Sequence, residues 1–276
     1  MDQSEEIKIL RNALDESKYT VALGGSGLLE ESGYLVLKNP DKAYDIERKY
    51  GVSPEYIYSS AYFNTRTNQF FEFYKNEMIN ADLQPNESIK ALAAMEAAGK
   101  LQCMITSNIF DMSRRGGIKN VINLHGTIYE NICPHCRTKY SIDYIKESKD
   151  VPLCKKCNSV IRPMVSLFGE MVDSQIMTKT TEEVEKADVL LLLGTTLESR
   201  VFKNYIRYFN GKTIAIIHKD FHYTDHKADI IIYGMPKEIL PQLGYETVKE
   251  NTRENIEKDN RKDRKEKSER AAEEKA

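Results

Sequence analysis

The sequence predicts an α/β fold: a Rossmann-like, doubly wound parallel sheet with a smaller domain made of a zinc ribbon and a helical insertion. Three observations lead there. Six short runs are apolar at nearly every position, as strands read when helices cover both faces of a parallel sheet. Helical patterns alternate with them, and that alternation marks a doubly wound sheet. Two C-x2-C knuckles, Cys133-Pro134-His135-Cys136 and Cys154-Lys155-Lys156-Cys157, break the rhythm seventeen residues apart.

The predicted strands cover residues 19–23, 101–105, 121–124, 189–193, 213–217 and 229–233, with helices over 86–98 and 175–186 among the connections. Two stretches fall outside the pattern. Residues 34–83 are rich in Tyr, Phe and Asn and read as helices and loops over the sheet's edge, and residues 127–163 are the ribbon. The expected organisation is one domain over 1–248, with core segments at about 5–33, 84–126 and 164–248 and the two insertions forming the smaller domain. Beyond it, residues 249–276 are almost all charged or polar; pairs such as Glu257/Arg261 support an exposed helix or a disordered tail.

A chain of 276 residues is long enough for one large domain and a small module. Its net charge of −2, with 30% charged residues, gives no global field that calls for nucleic acid. No apolar run reaches the ~20 residues of a membrane-spanning helix. The acidic start, without a secretory leader, and the cysteine usage suggest a cytoplasmic protein. The Trp-free composition, rich in Lys, Glu, Ile and Asn, fits an AT-rich bacterial genome.

The knuckles carry the strongest chemical signal. Zn²⁺ takes four ligands, with Zn–S near 2.3 Å, and each tight C-x2-C turn offers two thiolates from one loop. Cys133, Cys136, Cys154 and Cys157 are therefore the expected ligands of one structural zinc, a closed site with no open position for substrate. Cys103, inside an apolar run, reads as a core thiol.

Polar turns follow several predicted strands. Gly24-Gly25-Ser26-Gly27 ends the first, although the third glycine of the dinucleotide fingerprint is absent. Gly194-Thr195-Thr196, Ser107-Asn108 and His125-Gly126 end three others. In such folds ligands sit at the carboxyl ends of the strands, so glycine amides near a pyrophosphate are expected there.

Taken together these residues resemble the sirtuins, NAD-dependent protein deacylases, over roughly residues 18–243. The matching parts are the glycine turn with Ser32-Gly33, Ser107-Asn108-Ile109, His125-Gly126, the four cysteines, the run Arg162-Pro163-Met164-Val165-Ser166-Leu167-Phe168-Gly169-Glu170, and Gly194-Thr195-Thr196. The resemblance implies NAD as co-substrate, removal of acyl groups from protein lysine, and acyl transfer to ADP-ribose with release of nicotinamide. It implies His125 as general base, with Asn108 beside it in the catalytic set. Cofactor contacts would come from Gly25, Ser26, Gly27, Lys38, Ser107, Asn108, Gly194, Thr195, Thr196 and His218. An acylated peptide or protein would be the partner, adding as a strand along Val165, Phe168, Gly169 and Glu170, opposite a loop near 199–202.

The sequence departs from the family at the cofactor. Gly25-Ser26-Gly27-Leu28-Leu29 replaces Gly-Ala-Gly-Ile-Ser, Leu37 and Lys38 replace a Phe and an Arg, Phe110 replaces the Asp that holds the nicotinamide amide, and His218 replaces a ribose-binding Asn. Alternatives stay open: a catalytically impaired module that binds a nucleotide or acyl-lysine peptide, or an ADP-ribosyltransferase or NAD hydrolase. Glu77 falls where acyl-selective members carry Arg, which predicts repulsion of acidic acyl groups.

Overall fold

Every one of the six apolar runs forms a strand. The structure, a computed structural model, describes residues 2–246, so the predicted tail over 249–276 lies outside it. The strands of the large sheet are β1 (Thr20–Gly24), β2 (Cys103–Thr106), β3 (Val121–Asn123), β7 (Val189–Leu193), β8 (Thr213–His218) and β9 (Ile230–Tyr233). Their spatial order is β3-β2-β1-β7-β8-β9, and every neighbouring pair is parallel. The chain thus winds outward from β1 in one direction and from β7 in the other. Between β1 and β7, where Gly24 lies in register with Leu193, is the switch point at which open α/β sheets bind ligands.

Both central strands are buried at each position, because each face meets its own apolar layer. One layer packs Ala22, Met104, Leu191 and Ile217 against helix Gln3–Glu16 and helix Glu87–Ala97; the other packs Leu23, Ile105, Leu192 and Phe202. Each buried Leu or Ile contributes roughly 1.5–3 kcal/mol. Local chemistry sets the helix starts. Asn86 caps Glu87–Ala97 by accepting from the Ile89 N–H, and Asp173 caps Ser174–Lys186 through Gln175 and Ile176. Helix Gln3–Glu16 was not among the predicted elements; its Ile7, Leu10 and Leu14 form a helical apolar stripe on the core.

The two insertions lie beyond β1 and β3. The first holds helices Pro40–Tyr50, Pro54–Ile57, Ser60–Thr65 and Thr67–Phe73 and a π-helical turn Tyr74–Met78, packed around Tyr58, Phe70, Phe73 and Tyr74. The second is a three-stranded antiparallel sheet in the order β5-β4-β6, from β4 (Gly126–Ile132), β5 (Lys139–Tyr140) and β6 (Arg162–Val165). Lys75 joins them: its Nζ donates to the carbonyls of Ser148 and Asp150 in the ribbon. Among the described residues no helix is long and apolar enough to cross a membrane.

Candidate functional site

At the switch point two turns touch backbone to backbone. The Gly25 N–H donates to the Leu193 carbonyl at 2.9 Å and the Gly27 N–H to the Gly194 carbonyl at 3.0 Å. A Cβ on Gly27 would stand 2.6 Å from the Gly194 Cα, so neither turn tolerates a side chain there. This corrects one expectation: the amides of Gly25 and Gly27 are spent holding the turns together. The amides of Ser26, Thr195 and Thr196 have no partner among the described residues, and they are available to an anionic group. Thr196 continues the second turn, with its carbonyl accepting from Ser199 N–H.

The turn after β2 lies alongside. The Ser107 N–H donates to the Gly24 carbonyl at 3.3 Å. Asn108 is buried and folded back on its own loop: its Oδ1 accepts from Phe110 N–H at 2.6 Å and its Nδ2 points at Met112 Sδ, 3.2 Å away. Phe110 is 1% exposed and packs edge-on against Tyr34, with ring centroids 4.9 Å apart. The neighbouring carboxylate, Asp111, is in the left-handed region at φ 53 and turns away to bond Arg114 and Asn123.

His125 stands two residues past β3, where the chain leaves the sheet for the ribbon. Gly126 makes that exit at φ 70, and a side chain there would overlap the Met164 carbonyl. The exit is pinned on both sides: the His125 carbonyl accepts from Ser166 N–H at 2.9 Å, and the Ile109 carbonyl accepts from Ile128 N–H at 2.9 Å. The His125 Nδ1 is buried without a hydrogen-bond partner among the described residues. Burial pulls the imidazole below its ordinary pKa; the Leu124 carbonyl opposes this, and the charge of Lys38 adds to it. His125 is therefore neutral at pH 7, free to accept a proton. The resemblance implied Lys38 only as a cofactor contact; its influence on His125 had no sequence signal.

Val165 ends β6 opposite Gly126, and three residues on Phe168 forms an isolated parallel bridge with Ser59. Phe168 is clamped on one side by the insertion: its N–H donates to the Tyr58 carbonyl and its carbonyl accepts from Ser60 N–H, both at 3.0 Å. Its side chain is 40% exposed and Met171 is 89% exposed, leaving an apolar rim. Gly169 turns at φ 87, and Glu170 takes two bonds from Arg162 Nη2, at 2.7 and 2.8 Å, and one from Leu167 N–H. A groove of about 420 Å³ between Phe63, Pro134, Val160 and Arg162 also reaches Glu170, but His125 is not among its walls.

Two expectations are corrected by side-chain geometry. The Glu77 carboxylate does not stand free over a channel; it is held by Lys42 Nζ, by Lys49 Nζ at 2.9 Å and by the Tyr50 hydroxyl at 3.2 Å. Burial alone would raise its pKa, and the two ammonium groups outweigh that and hold it below the usual carboxylate value. His218, at the carboxyl end of β8, keeps only one ring nitrogen open: its Nε2 is 3.0 Å from Asp225 Oδ2 and the ring stacks on Tyr233, which leaves Nδ1.

The four ribbon cysteines converge as their spacing predicts. Their sulfur atoms all lie within 4.8 Å of one another, with Cys133–Cys157 and Cys136–Cys154 each at 3.4 Å. A tetrahedron of bonds near 2.3 Å has edges of about 3.8 Å, so the set fits one zinc ion. The knuckles are near copies. Arg137 and Asn158 follow the second cysteines at φ 59 and 60, and their N–H groups bond the carbonyls of Cys133 and Cys154. Tyr140 donates to Cys154 Sγ, and Cys103 is a fully buried core thiol pushed up to about 12 by burial.

A doubly wound sheet with a buried histidine just past the carboxyl end of its edge strand β3, and a four-cysteine ribbon, defines a nucleotide-binding α/β protein with a structural metal. The Sir2 family model matches residues 25–201, and the chain belongs to the Sir2 family. Among its relatives, an NAD-dependent protein deacetylase of Clostridium perfringens is 34% identical over 240 residues, covering 87% of this chain and 98% of the relative. One from Clostridium acetobutylicum is 33% identical over 229 residues, 83% of this chain and 94% of the relative. Among solved structures, a Sir2 homolog–NAD complex superposes with a TM-score of 0.76 at 30% identity, covering 86% of this chain and 91% of that one. A Sir2–p53 peptide–NAD+ complex gives 0.75 at 28% identity, covering 86% and 96%.

Proposed function

We propose that this chain is an NAD-dependent protein-lysine deacylase that passes the acyl group to ADP-ribose. The observation that carries the reading is His125: a neutral, buried imidazole with an unpartnered Nδ1, at the same carboxyl edge as the two touching glycine turns. NAD-dependent protein deacetylases among its relatives, and Sir2 structures with NAD or with acetylated peptide, support it.

In this reading the free amides of Ser26 and Thr195 receive the pyrophosphate, and Gly25, Gly27 and Gly194 keep that approach clear of side chains. Lys38 adds positive charge, Ser107, Thr196 and His218 line the edge, and Asn108 rigidifies the loop facing the reacting ribose. When bound, NAD supplies the ADP-ribosyl acceptor and nicotinamide as leaving group. His125 takes a proton from a ribose hydroxyl, a role suited to an imidazole that is unprotonated near pH 7. The acylated peptide adds as a strand along Val165 and Phe168-Gly169-Glu170, opposite residues 199–202, with main-chain bonds giving affinity. The four cysteines hold a structural zinc that keeps β4 and β6, and with them the exit at Gly126, in place. The helical insertion and ribbon together act as the smaller domain of the enzyme, and a reducing cytoplasm suits its thiolates.

Phe110 favours a second reading, a module that binds nucleotide or acyl-lysine without turnover, because an aromatic ring packed on Tyr34 fills the position of the family's Asp. Nicotinamide release from NAD separates the readings. Deacylation requires release only when an acetyl-lysine peptide is present. Release without peptide means NAD hydrolysis or ADP-ribosyl transfer, and ADP-ribose binding without any release means the silent module.

A further inference from the structure

Beside His218 the chain carries a buried carboxylate, Asp225. Asp225, 1% exposed, lies in the short turn Asp225–Lys227 before β9. Its Oδ2 collects three groups: His222 N–H at 2.8 Å, His218 Nε2 at 3.0 Å and the Tyr233 hydroxyl at 3.2 Å. The first and third are donors, so an unprotonated Nε2 would set its lone pair against an oxygen already serving as acceptor. Nε2 must therefore carry hydrogen. On the other side the ring stacks on Tyr233 with centroids 5.7 Å apart and planes 17° apart. Two contacts fix the ring in both rotation and tilt, and Nδ1 is the nitrogen left without a protein partner among the described residues.

Position gives that atom a use. Leu193 is in register with Ile217, which places His218 next to Gly194, and the Gly194 N–H donates to the Ile217 carbonyl. We propose that Asp225 is a positioning residue: it holds Nε2 of His218 so that Nδ1 contacts a ribose hydroxyl of the bound dinucleotide. This rests on the NAD reading above. A hydroxyl both donates and accepts, so the contact forms with the ring neutral or protonated. The arrangement gives a histidine the single-atom directionality that a side-chain amide has without help. The role is one of orientation, since Asp225 is itself too buried to touch ligand.

The test is a double-mutant cycle read by ADP-ribose titration, with nitrogen-15 shifts of the His218 ring recorded on the full chain. Asp225→Asn keeps an oxygen for the three donors and removes the charge that anchors the ring. It should weaken ADP-ribose binding about 5- to 10-fold in the His218 protein and have little effect in a His218→Asn background. Addition of ADP-ribose should move the Nδ1 resonance and leave Nε2 protonated. Equal losses in both backgrounds would reduce Asp225 to a structural residue and overturn the proposal, as would a ligand response at Nε2 in place of Nδ1. Failure of the unaltered chain to bind ADP-ribose overturns the NAD reading together with it; binding that ignores Asp225 overturns this inference alone.

Discussion

Gly27 and Gly194 bring the turns after β1 and β7 into backbone contact, and this contact sets the shape of the crevice edge. A Cβ on Gly194 would stand 2.7 Å from the Gly27 Cα, and Gly194 itself sits at φ 57. Gly194→Ala therefore combines left-handed strain with a clash against immovable backbone. The expected cost is about 3 kcal/mol, a fall in Tm of roughly 6–12 °C for a domain of this size. Thermal unfolding checks it, and a Tm within a degree of the parent would mean that the turns do not touch.

Acid should inhibit at a lower pH than an ordinary histidine allows. Burial and Lys38 depress the His125 pKa, so the acid limb of kcat/KM is expected below the unperturbed value of about 6.5. Lys38→Met removes one depressing charge and should move that limb upward. His125→Ala should lower kcat/KM by roughly 10²–10⁴-fold. The linked stability effect has a definite sign: the unfolded chain binds the proton more readily, so His125 costs nothing above the unfolded pKa and destabilises progressively as pH falls below it. A pH–rate profile unmoved by Lys38→Met would remove Lys38 from this account.

Metal removal should act locally first. Cys154→Ser, or a strong chelator, is expected to abolish binding of about one zinc per chain and unfold the ribbon, since structural zinc contributes on the order of 10 kcal/mol of apparent binding energy. Lys75 carries the damage onward through its bonds to Ser148 and Asp150. Hydrogen exchange should thus rise in residues 127–163 and then around the turn Tyr74–Met78, while β1 and β7 stay protected. Uniform protection after metal loss would contradict a structural role.

Much of this was legible in the sequence because its signals were local. Val189–Leu193 announced itself by apolarity at every position, and the two knuckles by spacing alone. The helical patterns over 86–98 and 175–186 became helices Glu87–Ala97 and Ser174–Lys186, with each end within one residue. What stayed hidden depends on partners far along the chain. Glu77 meets Lys42 and Lys49 only after the insertion folds, and the charge of Lys38 acts on His125 from 87 positions away along the chain. Gly25 and Gly27 looked like phosphate ligands because nothing in one strand's turn reveals that another turn will occupy its amides.

Glu77 gives a different prediction from the one its sequence position suggests. Because Lys42 and Lys49 neutralise it, Glu77→Gln should leave the ratio of acetyl to succinyl peptide turnover unchanged. It should instead lower stability by about 1–3 kcal/mol, by stranding two partly covered ammonium groups. A gain in succinyl turnover, measured with matched peptides, would restore the carboxylate to the acyl path.

The most direct measurement is a crystal structure of the chain with ADP-ribose. The expected result has the pyrophosphate on the amides of Ser26 and Thr195 and the terminal ribose within hydrogen-bond reach of the His125 ring. A ligand bound away from the β1–β7 edge, or a ribose shut off from His125 by Phe110 and Tyr34, would contradict it.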